Sequence, residues 1–315
     1  VVQKSTAASL DFAAVMAQAS RVFDNYTREL PGLADSCLTM AKNAWQWAND
    51  NPEQIYDQQK MNEQYDPDVS TGAYGDKNLK DEFIWAGSEL FVSTGKMTYL
   101  EGIELLPDKK IQVPSWGQVD ALGYYTLLRF QEKFPSSIKD KTSEIKDQLI
   151  GFANNLVLRA SSNPYRTVMG YEAEDFGWGS NSKAANQGIL LVQAYLQSND
   201  NKYLKHALAN LDYLAGRNAT GFSFITGYGD HTPMHIHHRP SEADGVYEPV
   251  PGLLAGGPNP DQQDNCDYPS DLPAKSYVDA VCSYASNETC INWNAPLVYL
   301  SYAIEKLQYE AGFSE

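Results

Sequence analysis

Two stretches of this 315-residue chain gather the residue types that acid–base chemistry requires. In Y-V-D-A-V-C-S-Y-A-S-N-E-T-C-I-N-W-N-A, residues 277–295, Asp279 and Glu288 are flanked by Tyr277, Tyr284 and Trp293 where a loop turns into a helical pattern. A carboxyl packed against aromatics loses the water that stabilises its charge, so its pKa rises and it can carry a proton into a reaction. Two plainer readings compete for Glu288. It could favour the positive end of the following helix, or it could be the middle residue of the glycosylation sequon Asn287-Glu288-Thr289.

The second stretch is S-F-I-T-G-Y-G-D-H-T-P-M-H-I-H-H-R-P, residues 223–240, which holds four of the chain's five histidines. H-x-H-H in a loop lacks the helical H-E-x-x-H spacing or a nearby Cys pair, so zinc is disfavoured. His237 and Arg239 can instead present donors to hydroxyl groups, the guanidinium as a rigid and permanently charged fork.

These groups sit in an acidic, aromatic-rich chain. A formal net charge of -16 excludes a nucleic-acid partner, because such binding rests on Lys and Arg against phosphates. A neutral substrate stays compatible. Many of the twenty Tyr and six Trp lie in polar segments with no apolar periodicity, where ring faces suit the C–H faces of sugars; core and interface filling accounts for most of the others. Four cysteines, Cys37, Cys266, Cys282 and Cys290, leave open either one loop disulfide in an oxidising compartment or free thiols. No apolar run approaches a membrane span, which predicts a soluble protein, and the start V-V-Q-K-S-T has no signal-peptide pattern.

The elements that position these groups read as helices. Behind Ser5 and Thr6 as N-cap, Leu10, Phe12, Val15, Met16, Ala19 and Phe23 recur at helical spacing. Further helices are expected over 33–49, 79–93, 118–133, 142–159, 182–197, 203–215 and 294–309, with no convincing strand. E-L-F-V-S-T-G-K-M-T-Y-L, ending at Leu100, and Q-A-Y-L-Q-S-N-D-N-K-Y-L, ending at Leu204, each read as a helical hairpin. The connection over about 221–279 is far longer than usual, and its aromatics and histidines predict an ordered, functional loop.

The spacing aromatic-x-Asp-x4-aromatic-x3-Glu-x-small-x3-Asn-Ala resembles the C-terminal signature of glycoside hydrolase family 9, the inverting cellulases. It is matched by Tyr277, Asp279, Tyr284, Glu288, Asn294 and Ala295. The 223–239 stretch resembles that family's other signature, ending in His-x-Arg. Weaker agreement comes from T-G-A-Y-G-D, D-E-F-I-W-A, P-S-W-G-Q and F-G-W-G-S-N-S, so the resemblance covers essentially the whole chain. It is nearest the bacterial subgroup whose catalytic domain often follows an immunoglobulin-like module.

The resemblance implies an all-α (α/α)6 barrel and an endo-β-1,4-glucanase that needs no cofactor for catalysis. Glu288 would be the general acid, Asp279 would orient and support it, and His237 and Arg239 would bind sugar beside the scissile bond. Trp116 and Trp178 match loop tryptophans that resemble sugar-stacking platforms, and Tyr228 and Trp293 join them as substrate-binding aromatics, although relatives usually carry Tyr where Trp293 stands. Trp85 is expected in the core. A structural calcium is implied near Thr71, Asp81, Glu82 and Asp120, since calcium takes carboxylate and carbonyl oxygens.

One family feature is missing. No Asp-Ala-Gly-Asp motif, whose aspartates activate the attacking water, occurs in the sequence, and Asp66 and Asp68 in Y-D-P-D-V-S do not match it. An inverting site needs two carboxyls about 6.5–9.5 Å apart, so residues 1–315 are expected to be a catalytic domain lacking its N-terminal segment, with the base on that segment. A non-catalytic β-glucan-binding protein, or the same chemistry on xyloglucan, mixed-linkage glucan or oligosaccharides, is the alternative. The location expected is secreted, periplasmic or at the cell surface.

Overall fold

The computed structural model describes residues 2–107 and 109–313. Its α-helices are α1 (Thr6–Phe23), α2 (Leu33–Asp50), α3 (Gln58–Gln64), α4 (Lys80–Thr94), α5 (Asp120–Phe130), α6 (Ser136–Ser162), α7 (Ser180–Ser198), α8 (Asn201–Leu214), α9 (Arg239–Ala243) and α10 (Ile291–Leu307). Among the described residues there is no strand, only isolated bridges. The chain forms two compact units, Val1–Gln148 and Leu149–Glu315, the division falling within α6. Among the described residues no helix is long and apolar enough to cross a membrane.

In the first unit, the Ser5 hydroxyl accepts the Ala8 amide and caps α1. One face of α1, carrying Leu10, Ala13, Ala14 and Ala17, is fully buried against Ala41 and Ala48 of α2 and Ala86 and Leu90 of α4. These small side chains let the helices approach closely. Trp85 is partly buried against this core, and its indole N–H donates to Glu89.

The hairpin expected to end at Leu100 is not a helix pair. Gly95, in the left-handed region at φ 70°, caps α4, and residues Met97–Tyr99 form a single 3-10 turn. Gly102 at φ 77° and two prolines, Pro107 and Pro114, then keep the chain irregular until α5. The structure also forms two short helices, α3 and α9, that were not expected.

In the second unit, α7 and α8 form the other expected hairpin, turned by Asn199 at φ 56° and capped by the Asp200 carboxylate on the Lys202 amide. Asn210 of α8 is wholly buried and donates to Ala184 and Gln187 of α7 while accepting the Val168 and Met169 amides. α10 lies on α7 where Gly188 leaves room for Leu300. The long loop is ordered as expected, carrying α9 and a 3-10 turn at Pro273–Lys275. A Cys266–Cys282 disulfide spans part of it, with Cα atoms 6.0 Å apart, and Cys37 and Cys290 are free.

Candidate active site

The candidate site is built where two loop segments of the second unit run side by side. His237 and Glu288 pair in a short parallel bridge, the His237 amide donating to the Asn287 carbonyl at 2.9 Å. On its other side the Gly256 amide donates to the Glu288 carbonyl at 2.8 Å. The Glu288 backbone is therefore held from two directions. Asn287, at the bend just before the bridge, is fully buried, while Glu288 within the bridge is only partly so.

Glu288 is partly buried, and that burial pushes its carboxyl above the ordinary range. The nearby His237 imidazole and a hydrogen bond from Trp178 act the other way, with less effect. The His237 Nδ1 faces the Val281 carbonyl, which fixes the N–H on Nδ1 and leaves Nε2 free. Arg239 opens α9 and is exposed, with no ion-pair partner among the described residues.

The Asp279 carboxylate holds the neighbouring loop and reaches Glu288 only through it. Oδ2 accepts the Met234 amide at 2.8 Å, and Oδ1 accepts the His235 amide at 2.9 Å and the Asn287 Nδ2 at 3.1 Å. The sequon reading fails on the same residues, because Asn287 is 0% exposed and its amide is engaged on both sides.

The tryptophans separate by burial. Trp178 is 50% exposed and lies 5.7 Å from the Tyr284 ring, giving a continuous aromatic surface beside Glu288. Trp293 is 6% exposed and wedged behind the site: a Cβ at Gly179 would lie 2.7 Å from its indole nitrogen, and one at Gly256 would lie 3.0 Å from its ring. Its expected place on the sugar-binding surface gives way to packing, because the two glycines enclose the indole. Tyr228 is exposed on a turn and makes no hydrogen bond or ring contact with these groups. Tyr284 was legible only as a flanking aromatic of the signature, and Asn287 only as part of a sequon.

Trp116 belongs to the first unit, where it is exposed on the 115–118 turn, edge-on to Tyr74. The expected calcium residues are in the same unit. Asp81, Glu82 and Asp120 are buried, and Asp81 accepts the Val119 amide while Asp120 accepts Gln118 Nε2. Thr71 is exposed, its carbonyl accepting from Gln58. The structure brings Asp11 and Asp76 into this electrostatic group, which the sequence reading missed. Burial first, and repulsion from neighbouring carboxylates second, push Glu82 to about 9 and Asp11 to about 7. Among the described residues no three His, Cys, Asp or Glu side chains converge tightly enough to hold a metal. Even so, Asp11 Oδ1, Asp81 Oδ1 and Glu82 Oε2 are buried without a hydrogen-bond partner, which is the donor chemistry a hard cation satisfies.

The chain is 44% identical, over 98% of its length and 52% of the relative's, to the xyloglucan-specific endo-beta-1,4-glucanase BoGH9A of Bacteroides ovatus. It is 32% identical to endoglucanase D of Acetivibrio thermocellus, over 94% of its length and 44% of that protein's. It thus spans about half the length of the curated relatives it matches. The solved structure of Bacteroides ovatus GH9 superposes with a TM-score of 0.90 at 42% identity, over 98% of this chain and 55% of that one. The fold class is therefore all-α, as in the (α/α)6-barrel enzymes. With the glycosyl hydrolase family 9 model matching residues 1–301 and the Asp279, Glu288, His237 and Arg239 spacing intact, the chain belongs to that family.

Proposed function

We propose that the protein of which this chain is part hydrolyses internal β-1,4 bonds of a glucan backbone with inversion, and that Glu288 is the general acid. The observation that carries this is the environment of Glu288, whose carboxyl is kept protonated to higher pH by burial, against a smaller opposite effect of His237 and Trp178. Glu288 gives its proton to the glycosidic oxygen as the bond to C1 lengthens. The resulting carboxylate is then met by the Trp178 N–H and the His237 ring. A water attacks C1 from the opposite face, its proton going to a second carboxylate about 6.5–9.5 Å from the acid.

That base is proposed to lie on a part of the catalytic domain outside this sequence, in keeping with the share of the relatives' length that the chain spans. The same segment is proposed to cover the outer stripe of α10, where Ile291 is 88% exposed with Val298 and Tyr302 beside it. Hydrogen exchange on the complete protein should find this stripe protected. His237 Nε2 accepts from a sugar hydroxyl and Arg239 donates to one, Asp279 fixes the loop that presents them, and Trp178 with Tyr284 stacks on a sugar face.

The 44% identical relative is named for xyloglucan and the 32% identical one as an endoglucanase. Both names denote endo-acting glucanases, and the higher identity favours xyloglucan. Such polymers, together with the Cys266–Cys282 disulfide, favour a secreted, periplasmic or surface location. A structural calcium is proposed to draw on the unpartnered oxygens of the neighbouring Asp81 and Glu82. It would neutralise buried charge and take no part in bond cleavage.

The test is release of reducing ends from xyloglucan and carboxymethylcellulose by the complete protein and its Glu288→Gln variant. Loss of roughly 10²–10⁴-fold in kcat is expected with oligosaccharide binding retained. Undiminished turnover by the variant overturns the acid assignment. A parent that binds cellotetraose without cleaving it establishes the glucan-binding alternative.

A further inference from the structure

Behind Glu288 lies a buried hydrogen-bond chain that the proposed reaction leaves unused. The Tyr277 hydroxyl donates to Asn287 Oδ1 at 2.6 Å. Asn287 Nδ2 donates to the His235 carbonyl at 2.9 Å and to Asp279 Oδ1 at 3.1 Å. The Asn287 backbone carbonyl takes the His237 amide. Tyr277 is itself aimed by packing, its ring edge-on to Phe222 and Phe224 with centroids 5.0 Å away in each case.

Asn287 thus ties three pieces of chain together at one amide: the tyrosine at 277, the aspartate-anchored loop at 234–237, and the segment bearing Glu288. A primary amide accepts through its oxygen and donates two hydrogens through its nitrogen, and the three side-chain bonds of Asn287 use both ends. A leucine would strand the Tyr277 hydroxyl and the His235 carbonyl, and an aspartate would add a second carboxylate against Asp279. Asn287 directly precedes Glu288 and is held at both ends of its side-chain amide and at its backbone carbonyl, so fixing it fixes the backbone from which the Glu288 side chain leaves.

We propose that Asn287, held by Tyr277 and Asp279, is a positioning residue for Glu288, keeping its carboxyl beside His237 and Trp178. The inference rests on the reading of Glu288 as general acid. Asn287 touches no substrate. It sets the register in which the acid and His237 meet, and the contribution of Asp279 to the site reaches Glu288 through this amide.

The experiment compares the complete protein with its Tyr277→Phe and Asn287→Ala variants. It reads the Glu288 carboxyl titration by ¹³C NMR, the pH profile of hydrolysis and the melting temperature. When the lock is loosened, the carboxyl regains water. Glu288 is then expected to titrate at lower pH, the alkaline limb to move down with it, and kcat to fall roughly tenfold to a hundredfold with KM nearly unchanged. A purely structural role would lower the melting temperature and leave the titration in place. If Asn287→Ala fails to fold, Tyr277→Phe, which removes one hydroxyl, decides. Parental titration and pH profile in a folded Tyr277→Phe protein overturn the proposal. If the parent cleaves no glucan, the hydrolase reading falls, while the Glu288 titration still judges the positioning.

Discussion

His237 and Glu288 face each other across a parallel bridge, and the imidazole lowers the carboxyl's pKa against the larger, opposite effect of burial. Removing the ring leaves burial less opposed. In His237→Gln the alkaline limb of kcat/KM, which reports groups of the free enzyme, is therefore expected to move to higher pH even as the rate falls. An unmoved limb would mean that the two side chains do not sense one another in solution.

Trp178 and Trp293 are the same residue type in opposite circumstances, exposed beside Glu288 and buried behind it. Trp178→Ala should weaken binding of cello- or xyloglucan oligosaccharides by about 0.5–1.5 kcal/mol, the scale of a ring-stacking contact, with little change in melting temperature. Trp293→Ala should instead cost about 3–5 kcal/mol of stability by emptying a packed site. Calorimetry and denaturant unfolding separate the two, and the reverse pattern would reassign both indoles.

The orphan oxygens of Asp11, Asp81 and Glu82 lie among carboxylates that burial and repulsion already oppose. Added calcium is expected to raise the melting temperature, by about 2.7 kcal/mol of stability at a hundredfold excess over its Kd, and EDTA to reverse the gain. Glu82→Gln should raise the melting temperature in EDTA and abolish the calcium response. A response that survives this change would place the ion elsewhere.

The Cys266–Cys282 disulfide closes a sixteen-residue separation. Cys282→Ser should lower unfolding free energy by about 3 kcal/mol through the freed chain entropy of the unfolded state. Tyr284, whose hydroxyl donates to the Gln263 carbonyl, and Ala285, whose amide donates to Asp264, join the same loop to the site. Oligosaccharide affinity should therefore drop along with stability. Unchanged affinity in the folded variant would assign the disulfide to stability alone.

Long helices were legible where Ala and Leu recur at helical spacing, as in α1 behind Ser5 and in α8, expected over 203–215 and observed at Asn201–Leu214. The reading failed at Met97–Tyr99, where an apolar pair resembled a returning helix. Glycines at 95 and 102, both with positive φ, stop it. In the site, Asp279, Glu288, His237 and Arg239 could be picked out because their chemistry survives in their spacing. The role proposed for Asn287 could not, since it depends on partners at 235, 277 and 279 that only the fold brings to one amide. Asp11 was hidden for a related reason: it lies on α1, and only helix packing brings it near Asp81 and Glu82. Whether a tryptophan meets sugar or core was likewise settled by glycines at 179 and 256, remote from it in the chain.

The burial of Asn287 has a consequence for how the protein can be made. Its sequon is closed in the folded chain, yet open on a nascent one. An oligosaccharide attached there during synthesis could not be accommodated where the amide meets Tyr277 and Asp279, so modified and correctly assembled molecules are mutually exclusive populations. In a host that glycosylates its exports, the race between sugar transfer and folding at this one asparagine would set the fraction of usable product.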